Sequence, residues 1–307
     1  MDNFLQGTYT ALITPFNEDL SVDFEGFKTL LDLQMQNGIR GLVPCGTTGE
    51  SSTLSTELHC EVIKFVVDYV RENAARFNRT FGEDLFVMPG TGSNATSEAI
   101  ELTKYAEQVG AHATLHVTPY YNKPTQEGLK LHFKLITDEC ELPLVVYNIP
   151  SRTSRNVEVA TLLELAKNPK IIGVKEASGD VNQIARIIQK TRGTDFTVMS
   201  GDDGFTYLVM ALGGKGVISV ASNIIPGKMS TFTNAMLEGD YKTGLDMHYQ
   251  LLDLFDIQFI ETNPGPVKYM ASLMGLPSGP MRPPMTLPTP ANQEKIQKVM
   301  KDSGLIE

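Results

Sequence analysis

Residues 169–180 read PKIIGVKEASGD, and the fold turns on how this stretch is taken. Its centre, Ile171-Ile172-Gly173-Val174, is an apolar, β-branched run. Such runs suit a strand buried on both faces of a parallel sheet. The run ends on Lys175, a charge that an interior does not welcome. A lysine at a strand end can snorkel to water. It can also be partly desolvated, which lowers its pKa and exposes an amine nucleophile. Which reading holds depends on what the rest of the chain builds around that strand end.

Working outward, seven more runs of the same kind appear, at 8–16, 40–46, 84–90, 112–121, 143–150, 196–203 and 214–222. With 170–178 they make eight. Amphipathic three-to-four spacing fills the gaps, at 23–38, 55–73, 93–110, 125–140, 157–169, 180–191, 202–214 and 226–240. Asp23, and either Ser55 or Thr56, are suitable helix caps, and Gly38 is a stop. Eight strands alternating with eight helices predict an α/β fold, a (β/α)₈ TIM barrel over residues 1–240. A doubly wound open sheet would want a Gly-rich turn after its first strand, and TPFNEDLS is not one. Residues 241–307 read as further helices packed on the barrel, a C-terminal helical extension within one catalytic unit. The stretch 71–84 reads as a long surface connection.

The chain of 307 residues carries a formal net charge of −10, which argues against nucleic acid and anionic membrane surfaces as partners. The opening MDNFLQGTYTALITPF has no basic segment followed by a long apolar one, so no signal peptide or membrane span is expected. Cys45, Cys60 and Cys140 are odd in number and widely spaced, which fits reduced thiols and a cytoplasmic location.

Barrels of this kind place their chemistry at the C-terminal ends of the strands. Here those ends read TPF (14–16), GTTGES (46–51), PGTGSN (89–94), TPYYNKP (118–124), YNIPSRT (147–153), KEASGD (175–180), SGDD (200–203) and VISVASN (217–223). They collect hydroxyls, tyrosines, one arginine and Lys175, with no His/Cys/carboxylate cluster at metal spacing. No metal and no cofactor are expected. His116 reads as a core residue, and SGDD as a helix N-cap with Asp202 and Asp203 favourable at the positive helix end. GTTGES lacks the phosphate-loop pattern, but its hydroxyls and backbone N–H groups suit a carboxylate. Tyr147 can pass protons beside an amine, and Arg152 can grip a carboxylate. Together these outline a site that forms an imine with an oxo acid and holds a second acid.

The set GTTGES, TPYYNKP, YNIPSRT, GVKEAS, SGDD and GVISV resembles the dihydrodipicolinate synthase family. The likeness runs from TPF at 14–16 to ETNPGPVK at 261–268. It implies a lyase that condenses pyruvate with L-aspartate 4-semialdehyde, on the way to diaminopimelate and lysine. In that likeness Lys175 forms the Schiff base, and Tyr147, Thr47 and Tyr121 form a hydroxyl relay. Tyr121 would come from a neighbouring subunit of a homotetramer built as a dimer of dimers. Thr48 and the backbone at Ile218 would hold pyruvate, and Arg152 the second substrate's carboxylate. The resemblance also implies a pocket for L-lysine as inhibitor, formed by Ser51, Ser52, His59, Asn94, Glu98 and Tyr120. Two positions depart from lysine-sensitive bacterial members: Thr56 stands where histidine is frequent, and Ser52 where alanine is. Competing readings are another pyruvate-dependent Schiff-base lyase, such as N-acetylneuraminate lyase, or a barrel that binds a small acid without catalysis. Arg152 in YNIPSRT and the paired Tyr120–Tyr121 argue against the first, and the intact lysine, tyrosine and threonines against the second.

Overall fold

The computed structural model describes residues 4–307. The strands are β1 (Gly7–Ala11), β2 (Gly41–Val43), β3 (Phe86–Val87), β4 (Thr114–Val117), β5 (Leu144–Asn148), β6 (Ile171–Glu176), β7 (Thr197–Ser200) and β8 (Gly216–Ser219). All pairings between them are parallel, in the order β3-β2-β1-β8-β7-β6-β5-β4. The two ends of that order meet at a parallel bridge between Gly90 and Leu115. There the Thr91 N–H donates to the Leu115 carbonyl at 3.0 Å, and the Leu115 N–H to the Pro89 carbonyl at 2.9 Å. The sheet curls into a barrel.

Seven strands fall inside an expected run and β1 begins one residue before its run, at Gly7; each is shorter than expected. The run 112–121 pairs only as far as Val117, and 84–90 gives a strand of two residues. Pairing stops where the chain turns away from its neighbour, and apolar character continues past that point. The helices are α1 (Phe24–Gln36), α2 (Thr56–Asn73), α3 (Thr96–Val109), α4 (Gln126–Glu139), the single turn α5 (Pro150–Thr153), α6 (Val159–Leu165), α7 (Val181–Thr191), α8 (Thr206–Ala211) and α9 (Pro226–Leu237). Asp23 caps α1 by accepting from the Gly26 N–H at 2.8 Å, and Ser55 caps α2 through the Leu58 N–H at 3.2 Å. The 71–84 stretch is no loose loop. It finishes α2 and adds a 3₁₀ turn, Ala74–Phe77, and Arg79 then ties it down through Asp84 at 3.0 Å and the Ile39 carbonyl at 3.0 Å.

Side-chain alternation along the strands sorts two layers. Tyr9, Val43, Met88, Leu115, Val145, Tyr147, Met199 and Ile218 fill the barrel interior as one cluster. Leu144, Val146, Ile171, Val174 and Val198 face the helices, packing with Leu129, Phe133, Ile184 and Ile187. Three more helices follow, α10 (Tyr241–Ile257), α11 (Gly265–Leu273) and α12 (Pro290–Asp302). Their buried residues, among them Leu251, Phe255, Val267, Met270, Ile296 and Met300, join the cluster that α1, α2 and α9 build against the barrel. No helix among the described residues is long and apolar enough to cross a membrane.

Candidate active site

Lys175 is the fifth residue of β6 and pairs with Tyr147 on β5 and Met199 on β7. The pleat sends these side chains inward while Val174 and Glu176 point to the helix layer. Lys175 is 5% exposed, so its ammonium is not snorkelling. Its Nζ lies 4.2 Å from the centroid of the Tyr147 ring. Burial pulls the amine down to about 8 from its ordinary 10.5; the Asp203 and Asp202 carboxylates pull the other way, and the Arg152 guanidinium adds to the lowering. Space for the side chain depends on Gly201. A Cβ there would come within 2.7 Å of the Ala177 Cβ and 3.1 Å of the Lys175 Cγ.

Tyr147 is buried and shares the cavity wall with the Thr47 hydroxyl. Burial pushes its phenol up to about 12, with the Arg152 guanidinium and the Thr47 hydroxyl pulling back. It therefore keeps its proton at neutral pH and can donate it. Thr47 and Thr48 are carried by the GTTGES turn, which begins just past β2 with Cys45 at φ +56° and leaves with Glu50 at φ +56°. Arg152 follows β5 on the one-turn helix α5, is exposed, and donates from Nη2 to the Asn263 carbonyl at 3.2 Å.

Lys175, Tyr147, Thr47, Thr48 and Arg152 line one cavity of about 210 Å³ at the top of the barrel. Asp202, Phe259 and Asn263 are also part of its wall. Ile218 lies in the barrel interior, on β8, fully buried and outside that lining. Tyr121 does not reach the cavity of its own chain. It is 88% exposed, on a turn where its φ is +70°.

A second, smaller cavity of about 110 Å³ is lined by Ser51, Ser52, Thr56, His59, Glu98 and Tyr120, together with Ser93. His59 Nε2 donates to the Gly90 carbonyl at 2.8 Å, which fixes its tautomer, and burial lowers its pKa, so the ring is neutral at pH 7. Glu98 is hydrogen-bonded by the Ser93 hydroxyl. Asn94 is not part of this lining; its main-chain carbonyl accepts from Asn122 Nδ2 at 2.8 Å. His116 is a core residue, fully buried, with Nε2 against the Thr91 hydroxyl at 2.9 Å and that of Thr114 at 3.0 Å.

Sequence reading missed three participants. Of the two carboxylates that SGDD offers as helix caps, Asp203 is not one. Its side chain is instead buried under the site, where one oxygen accepts from the Val220 and Ala221 N–H groups and Gln258, each at 2.9 Å. The turn is capped by Asp202, which accepts from the Gly204 N–H at 2.8 Å. Asn263 reaches the cavity from the segment between α10 and α11. Glu50 forms a buried ion pair with Lys268 at 2.8 Å. The only signal for the last two was their place in quoted motifs, GTTGES and ETNPGPVK.

A desolvated amine beside a phenol and two hydroxyls, at the top of a (β/α)₈ barrel, is the equipment of a lyase that works through a lysine imine. A family model described as the dihydrodipicolinate synthetase family matches residues 4–303, and the chain belongs to that family. The 4-hydroxy-tetrahydrodipicolinate synthase of Endomicrobium trichonymphae is 48% identical over 302 residues, covering 98% of this chain and 99% of that one. The chloride-inhibited dihydrodipicolinate synthase of Acinetobacter baumannii complexed with pyruvate matches with a TM-score of 0.92 at 39% identity, over 98% of this chain and 100% of that one. The enzyme of Cyanidioschyzon merolae with lysine bound matches with a TM-score of 0.91 at 37% identity, over 99% of each chain.

Proposed function

We infer that this chain condenses pyruvate with L-aspartate 4-semialdehyde to 4-hydroxy-tetrahydrodipicolinate, the first committed step toward diaminopimelate and lysine. The observation that carries this reading is the buried Lys175 amine in the cavity with Tyr147, Thr47, Thr48 and Arg152. The neutral amine adds to the pyruvate ketone and loses water to give an imine. A proton leaves the methyl carbon, and the resulting enamine attacks the aldehyde carbon of the second substrate. That substrate's amino group then adds to the imine carbon, closes the ring and releases the Lys175 amine. The net products are the ring and one water. Tyr147 and Thr47 carry the protons and Thr48 holds the pyruvate carboxylate; the backbone at Ile218, outside the cavity lining, is assigned to pyruvate by the family likeness alone. Arg152 takes the other carboxylate through its fork of donors. The test is reduction with borohydride in the presence of pyruvate, with the adduct expected on Lys175 alone.

We assign Tyr121 to the site of a neighbouring subunit, within a cytoplasmic homotetramer built as two tight dimers. Its exposure beside Tyr120, itself 36% exposed, supports this. Tyr121→Phe should lower turnover about 10²-fold, the scale of a lost proton relay, without changing the circular dichroism spectrum. Co-expressed with Lys175→Ala, it should regain about a quarter of wild-type activity, because half the dimers then hold one complete site. A mixture that stays inactive would refute the exchange of tyrosines.

We propose L-lysine as the ligand of the 110 Å³ cavity, with Glu98 pairing an ammonium. Ser51, Ser52, His59 and Tyr120 supply the remaining polar lining, and Asn94 a neighbouring backbone. Activity should fall saturably as L-lysine is added, and Glu98→Gln should remove the response. A flat titration in the millimolar range removes the site.

A further inference from the structure

One residue of the segment between α10 and α11 is tied to two different parts of the cavity wall. Asn263 is 5% exposed and lines the cavity. Its Nδ2 donates to the Thr48 hydroxyl oxygen at 2.9 Å, across 215 residues of chain. Its main-chain carbonyl accepts from Arg152 Nη2 at 3.2 Å. Its Oδ1 has no hydrogen-bond partner among the described residues. The side chain therefore makes one directed contact, and that contact goes to Thr48.

The direction of the bond matters. A hydroxyl has one proton and two lone pairs. Because Asn263 occupies a lone pair as donor, the Thr48 proton remains available to a further acceptor. Thr48 is 2% exposed and lines the cavity, so a carboxylate bound there is such an acceptor. Without the amide, the hydroxyl can rotate and spend its proton on a neighbouring carbonyl. The Arg152 contact is independent of this, because it uses the backbone of Asn263 and survives any change of its side chain.

We propose that Asn263 is a positioning residue that sets the Thr48 hydroxyl to donate to the pyruvate carboxylate. The role of Thr48 rests on the reading under Proposed function. Asn263 does not touch the reacting carbons. It acts through Thr48, so the C-terminal extension finishes the pyruvate subsite as well as covering the barrel.

The two substrates and two backgrounds separate this from a merely structural role. In Asn263→Ala, the pyruvate concentration giving half-maximal borohydride-trapped Lys175 adduct should rise roughly 5–30-fold, the worth of one oriented hydrogen bond. The maximal amount of adduct should stay the same. The KM for L-aspartate 4-semialdehyde should stay within about two-fold, because the Arg152 anchor remains. In a Thr48→Val background, the same change should cost less than about two-fold more, since its partner is gone. Asn263→Asp keeps the shape, accepts where asparagine donates, and should need more pyruvate than Asn263→Ala; it serves as well if the alanine variant folds poorly. An unchanged pyruvate requirement, an equal loss in both backgrounds, or equal shifts for both substrates would each overturn the proposal. Absence of any adduct in the wild-type protein would instead defeat the Schiff-base reading on which it rests.

Discussion

Lys175→Ala is expected to abolish the borohydride-trapped pyruvyl adduct and to lower turnover by about 10⁴-fold or more, the scale on which a covalent nucleophile is lost. The reason is protonation as much as position. With a pKa of about 8, about a tenth of the Lys175 amine is neutral at pH 7. At the ordinary value of 10.5 the neutral share would be about one part in three thousand. Burial on β6 supplies most of that difference, because an ammonium loses its hydration there. A pH dependence follows. Initial adduct formation should climb about tenfold per pH unit below 8 and flatten above it. The same shift bears on stability. The unfolded chain binds a proton at Lys175 more tightly than the folded one, so between pH 8 and 10.5 this group makes the fold more stable as pH rises. Below pH 8 its destabilising effect is fully present. Lys175→Met, which keeps much of the volume and removes the charge, should therefore melt no lower than wild type at pH 7. Near-normal turnover in Lys175→Ala would end the Schiff-base assignment.

That lysine could be found in the sequence because two independent regularities meet on it. Strands of a parallel sheet buried on both faces are nearly continuous apolar runs, so all eight could be located. Chemistry in this barrel sits where those runs end. Thr47, Thr48, Tyr147 and Arg152 lie at strand ends too, and all five line one cavity. Their individual roles came from family resemblance, not from spacing. The runs did not show where pairing stops: TPYY is as apolar as the strand before it, yet β4 ends at Val117 and the chain turns until Tyr121 is exposed. Asp203 was misread because a carboxylate near a helix start looks like a cap. Only the fold brings the Val220 and Ala221 N–H groups to it. Asn263 and Lys268 had no local signature, since their partners Thr48 and Glu50 lie more than two hundred residues away.

Breaking the Glu50–Lys268 pair should cost roughly 3–5 kcal/mol, because either survivor is left as an uncompensated buried charge. The side chains are 2% and 0% exposed. Neither has spare capacity to water. Lys268 Nζ donates to Glu50 Oε1 at 2.8 Å, to the Thr14 carbonyl at 3.1 Å and to the Pro280 carbonyl at 2.8 Å, and sits 4.4 Å from the centroid of the Phe16 ring. Glu50 Oε2 accepts from the Arg282 N–H at 3.0 Å. The pair thus joins the end of β1, the GTTGES turn, α11 and the segment before α12. Lys268→Met should lower the melting temperature by roughly 5–10 °C at this chain length. Glu50→Gln should fall in the same direction, and the double variant should recover much of the loss, since no unpaired charge remains. A loss below about 1 kcal/mol in both single variants would show that the charges find other partners. The position of the pair carries the effect into the site. Glu50 lies two residues after Thr48, and Lys268 five after Asn263. Loosening the pair frees both ends of the Asn263–Thr48 hydrogen bond, so the folded fraction of Lys268→Met should also need more pyruvate to saturate Lys175. The double variant, with its turn repacked, should need less than either single variant.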